Sequence, residues 1–127
     1  MAGFGRFSAL RDKARRGFRG YPVATVAYYG PDASRATKVA VGVVLREGDE
    51  PDALERWYST ESDVRFDQEI CGAALEFMAA HHVKTVVLSA GIMGCPHEEG
   101  VDYPKGQKCG ACPYWADRDR WTGKVIR

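Results

Sequence analysis

Cys95, His97, Cys109 and Cys112 fall within 18 residues of a 127-residue chain, in the stretch GCPHEEGVDYPKGQKCGACPYW (94–115). Thiolates and an imidazole are the donors that tetrahedral zinc prefers, and three Cys with one His is a recognised structural set. Around them stand Gly, Pro, Lys and Glu, which make a poor apolar core. Two reduced core cysteines beside a chance histidine therefore explain the cluster badly. Three of the four cysteines gathered about a histidine fit metal ligation in a reducing compartment better than a disulfide framework. A cytoplasmic location is the expectation.

The second pair, Cys109-Gly110-Ala111-Cys112, resembles a zinc knuckle, in which small residues let backbone N–H groups turn toward the sulfurs. CPHEEG resembles the C-x-H half of a Rieske motif, whose second half is C-x-x-H; Cys112 stands here where that histidine belongs. Two irons accept three Cys and one His, so a [2Fe-2S] centre is an alternative to Zn2+. His97-Glu98-Glu99 followed by Cys109–Cys112 is similar to the zinc deaminase signature, H-x-E with a later P-C-x-x-C. That likeness implies Glu99 as the acid/base of a metal-dependent hydrolase or deaminase. The deaminases place a strand and part of a helix between the two halves, for which nine residues leave no room, and Gln107-Lys108 replace the proline. Cys95 would also fill the position that a substrate water needs. A redox dithiol ranks last, because no helix-forming sequence follows Cys112 to lower a thiolate pKa. Structural zinc is the leading reading, with Cys95, His97, Cys109 and Cys112 as its ligands.

Something must hold this loop. VATVAYY (23–29) is β-branched and aromatic, bounded by Pro22 and by Gly30-Pro31-Asp32, and reads as a strand. ATKVAVGVVLR (36–46) reads as a second, with Gly42 as a bulge position, and LERWYST (54–60) as a third. Two short connections in a row imply an antiparallel meander. Ser62 then looks like an N-cap, and the period turns helical from 64 to 82, with Phe66, Ile70, Ala73, Phe77 and His81 on one stripe. Cys71 reads as core and the His81-His82 pair as structural, since adjacent helical residues point about 100° apart and do not chelate together. VKTVVLSAG (83–91) is an apolar strand suited to the middle of a sheet with both faces covered.

The expected class is thus α/β (α+β-like): a three-strand antiparallel meander, one long helix, and a fourth strand that a right-handed crossover lays parallel to the first. Residues 23–91 resemble, in topology alone, the front half of the ribonuclease H-like fold. That family takes metal-binding carboxylates from its first strand, its helix and the end of its fourth strand. VATVAYYG and SAGIMG carry none, so only Glu69 or Glu76 matches and nuclease chemistry is not implied. Residues 23–127 form one domain in this reading, with 92–115 as a zinc-knuckle-like metal loop.

Net charge is only +1, but it is unevenly spread. Residues 1–22 carry six Lys/Arg against Asp12, and 47–76 carry ten acids against Arg56 and Arg65. The first stretch reads as a basic flexible arm; its Arg-rich, acid-poor composition is also that of an organelle transit peptide. Basic residues interleaved with aromatics suit RNA or single-stranded DNA. The candidate contacts are Arg15, Arg16 and Arg19 in the arm, with Lys108, Arg118, Arg120 and Trp121 beyond the metal loop. No apolar run approaches the ~20 residues of a membrane helix.

Overall fold

The computed structural model describes residues 2–98, 101–106, 110, 112 and 114, with side chains left aside at 2–8 and 90. It is a mixed α/β molecule. Four strands, β1 (Val23–Tyr29), β2 (Lys38–Val44), β3 (Ala53–Tyr58) and β4 (Thr85–Ile92), form one sheet in the order β3-β2-β1-β4. β1–β2 and β2–β3 pair antiparallel and β4 lies parallel to β1, as the meander and crossover require. Among the described residues two α-helices accompany it, α1 (Ala2–Arg15) and α2 (Gln68–Ala80).

The two faces of the sheet follow from the period of two. Ala24, Val26 and Tyr28 of β1 pair with Val43, Val41 and Val39 of β2, and this face meets α2. Cys71, Ala74 and Met78 of the helix close the core from the other side. Tyr28 sits fully inside it, where burial first and the nearby Cys71 second push its hydroxyl pKa up. Among the described residues no helix packs on the opposite face. There Tyr29, Lys38 and Tyr58 form one row across three strands, with Ala27, Ala40 and Arg56 as the next row.

Five expectations need correcting. The long helix over 64–82 is instead a 3-10 turn, Val64–Phe66, followed by α2, and Asp67 rather than Ser62 is the cap. The Asp67 carboxylate accepts from the Glu69 and Ile70 amides, which Ser62 is too far upstream to reach. Asp63 starts the 3-10 turn and ties it to the head of β2, accepting from the Ala36 amide at 3.1 Å and pairing with Arg65 at 2.7 Å. Gly42 is not a bulge but pairs in register with Thr25 and Leu54. The irregularity lies between β1 and β4, at Val26/Tyr28, where the Ser89 hydroxyl accepts from the Tyr28 amide and donates to the Gly91 carbonyl.

β4, read as a central strand, is at the edge, and Val87 is 51% exposed. An apolar run alone does not separate an edge strand from a central one. Residues 2–15, read as part of a flexible arm, form α1, which packs on α2, β4 and the 3-10 turn. Leu10, 2% exposed, anchors it in the core, with Ala14 packed alongside. Tertiary burial here outweighs a segment with a weak apolar stripe and two glycines near its start.

Candidate metal centre

The metal loop leaves β4 at Ile92 and is turned at once against the end of β1. The Met93 amide donates to the Tyr28 carbonyl at 2.6 Å, and the Gly30 amide donates to the Gly94 carbonyl at 2.9 Å. Gly30 is there because nothing else fits: a Cβ would lie 1.8 Å from the Arg35 carbonyl oxygen. The chain then folds back over the face of the sheet that carries Lys38 and Arg56.

Cys95, His97 and Cys112 come together at this point, with ligand atoms all within 4.8 Å of one another. The His97 Nδ1 is 3.1 Å from the Cys95 Sγ and 3.5 Å from the Cys112 Sγ. Two donors of a tetrahedral zinc at ~2.3 Å (S) and ~2.1 Å (N) stand ~3.6 Å apart, so these separations are near what one shared ion imposes. The Cys95 sulfur also accepts from the His97 backbone amide at 3.3 Å. Both thiols are buried, Cys95 at 6% and Cys112 at 3% exposure, and His97 is partly so. The three residues lie close enough to hold a metal ion.

Their support was missed in the sequence. Lys38 is 3% exposed, and its ammonium donates to the Pro96 carbonyl and to the Glu98 carboxylate, both at 3.0 Å. One side chain thus grips the residues on either side of His97. Arg56 joins from β3, its Nη2 donating to Glu98 Oε1 at 3.0 Å and its Nε lying 2.9 Å from Oε2. Burial raises the Glu98 pKa, but the hydrogen bonds and charges of Lys38 and Arg56 outweigh it and hold the group below the usual carboxylate value. The rings of Tyr29 and Tyr58 flank the Lys38 ammonium at 5.2 and 5.7 Å, cation–π contacts that offset part of its desolvation. The turn after Glu98 closes on itself, with the Glu98 amide donating to the Asp102 carboxylate at 2.7 Å. The sequence carried one trace of this network: Lys38 is the single charge in the apolar strand KVAVGVV. A cleft of about 390 Å³ lies between the network and the metal ligands, lined by Tyr29, Lys38, Ala40, Leu54, Arg56, Cys95, His97 and Glu98.

Of the other expected site residues, Cys109, Glu99, Lys108, Arg118, Arg120 and Trp121 lie outside the described residues. Arg15, Arg16 and Arg19 are exposed, at the end of α1 and in the segment after it. His81 caps α2 with its ring 4.6 Å from Phe77, and Cys71 is core, its thiol directed at the Val64 and Arg65 carbonyls. Among the described residues no helix is long and apolar enough to cross a membrane. Comparison with protein-family models, curated proteins and solved structures finds no match to this chain.

Proposed function

We propose that the chain is a small zinc-closed binding module, its ion held by Cys95, His97 and Cys112 with Cys109 as the fourth ligand. The observation that carries this reading is the convergence of two buried sulfurs and one imidazole nitrogen within 4.8 Å. One point serves all three donors, whereas a two-iron cluster divides its ligands between metals. Cys109 is three residues from Cys112, the spacing at which a knuckle presents both sulfurs to one ion. Four protein ligands leave no open position, so the ion organises the loop and takes no part in a reaction.

The strand order with β4 parallel to β1 supports the ribonuclease H-like reading of residues 23–91. RNA or single-stranded DNA is the favoured partner, on the strength of the basic residues around Arg15, Arg16 and Arg19 and of those past the metal loop. Hydrolysis through Glu99 has only the cleft beside Cys95 and His97 in its favour.

Elemental analysis of purified protein, read with its absorption spectrum, tests the metal. One zinc per chain and no visible absorption are expected. Iron with a visible band, or an ion with a water in its coordination sphere by X-ray absorption spectroscopy, overturns the structural-zinc reading.

A further inference from the structure

The edge of β4 carries three adjoining hollows. The largest, about 430 Å³, is lined by Ala14, Gly17, Phe18, Tyr21 and the β4 residues Thr85 to Leu88, and is mostly apolar. That volume is within the ~300–1,000 Å³ of sites that take small organic groups. Phe18 is 68% exposed, with the Tyr21 ring edge-on at 5.5 Å to steady it. A second hollow, between α1, α2 and the start of β4, shares Val86 with the first; Lys13, Arg16, Arg19 and Lys84 line it beside Leu75, Met78 and Ala79 of α2, and among the described residues no acidic one does. A third shares Ala14 and Leu88 and brings Arg11 and Arg15. Cations therefore line both hollows that adjoin the aromatic trough.

Lys13, Arg16, Arg19 and Lys84 make no ion pair among the described residues, whereas Lys38, Arg46, Arg56 and Arg65 each have a carboxylate within 4 Å. A lysine or arginine near a helix C-terminus offsets the dipole there, which accounts for Lys13 and Arg15. It does not account for Arg19 or for Lys84, which lies in the connection from α2 to β4. A rim of one charge sign calls for an anionic occupant. Phosphates spaced along a strand, with planar bases between them, match both features.

We infer that this trough binds single-stranded nucleic acid, a base stacking on Phe18 while Lys13, Arg16, Arg19 and Lys84 take the phosphates. The inference rests on the nucleic-acid reading above and gives it a location, roughly 20 Å from the metal loop along β1 and β4.

The test uses the full-length, metal-loaded protein, a fluorescein-labelled oligouridylate and, as a polyanion without bases, labelled heparin. Phe18→Ala should weaken oligouridylate binding about 5- to 150-fold, the loss of one stacked base, with its salt slope and heparin binding unchanged. Arg19→Gln with Lys84→Gln should weaken both ligands and reduce the oligouridylate salt slope by about 1.4, at ~0.7 per phosphate contact. All three side chains are exposed, so thermal unfolding should match wild type. If wild type binds oligouridylate and both variants bind it equally well, this site is wrong and the nucleic-acid reading survives. A Phe18→Ala variant with full affinity, beside a weakened Arg19/Lys84 variant, reduces the trough to a polyanion contact and overturns the inference. If wild type binds no oligouridylate at low salt, the nucleic-acid reading itself falls.

Discussion

β1 and β4 run side by side in the same direction, and their two ends use basic residues in opposite ways. At the carboxyl end Lys38 and Arg56 are spent on Glu98, inside a network that also grips the metal loop. At the amino end Arg19 and Lys84 stand exposed around one hollow beside the start of β4. A desolvated cation is costly unless paired, so the first arrangement reports structure. An exposed cation costs little and leaves its donors for a partner. Residue type is the same at both ends, and burial with pairing separates a strut from a contact.

The sharpest way to break this contrast is to remove a metal ligand. Structural zinc sites in small domains are worth ~10–16 kcal/mol of apparent binding energy, and losing one thiolate forfeits a large part of it. Cys112→Ser, or Cys109→Ser, should release the ion and raise amide hydrogen exchange through the loop after Ile92. Exchange in β1, β2 and α2 should stay slow, because the core cluster draws on none of the ligands. Loss of protection across the whole sheet would show that the two ends are not independent.

Lys38→Met tests the strut. Stranding one member of a buried pair costs ~3–5 kcal/mol, but Glu98 is a third exposed and keeps Arg56, so about 1–3 kcal/mol is expected by urea unfolding. Metal affinity should fall with it, since Pro96 and Glu98 lose the group that holds them about His97. A change within ~0.5 kcal/mol, like that of an exposed pair, would reclassify Lys38 as ordinary surface charge.

The smallest effect concerns Asp63. Burial raises its pKa, but hydrogen bonds from Arg65 and from the Ala36 and Arg65 amides, with the charge of Arg65, bring it below the ordinary aspartate value. A carboxyl depressed on folding stabilises the protein above its unfolded pKa of ~3.9 and loses that contribution as pH falls through the folded value. Asp63→Asn should therefore lower stability at neutral pH and flatten the decline below about pH 4, followed by chemical unfolding. An unchanged acid limb in the variant would place that decline on other groups.

The meander, the crossover and the Cys/His cluster were legible in the sequence because each is a short-range pattern. β1 begins and ends where Pro22 and Gly30 bound its β-branched run. α1 was not legible: two glycines and a run of arginines look like a solvated tail, and only the burial of Leu10 against α2 makes a helix of it. The edge position of β4 was hidden because apolar runs suit either place in a sheet. Lys38, Arg56 and Glu98 lie far apart in the chain and meet only once the strand register is set and the loop folds back. Spacing along the sequence carries no sign of such a meeting.

Gly30 sets a different kind of limit. Its neighbours are backbone atoms, which cannot swing aside as a lysine tip would, and its amide is bonded to Gly94 at the root of the metal loop. At Gly91, in contrast, a Cβ would have no neighbour within 4 Å among the described residues. Under random mutagenesis with selection for metal retention, codon 30 would stay almost fixed while codon 91, much nearer the ligands in sequence, drifted. The tolerance map of the site would thus be least permissive at a residue with no side chain, just past the end of another strand.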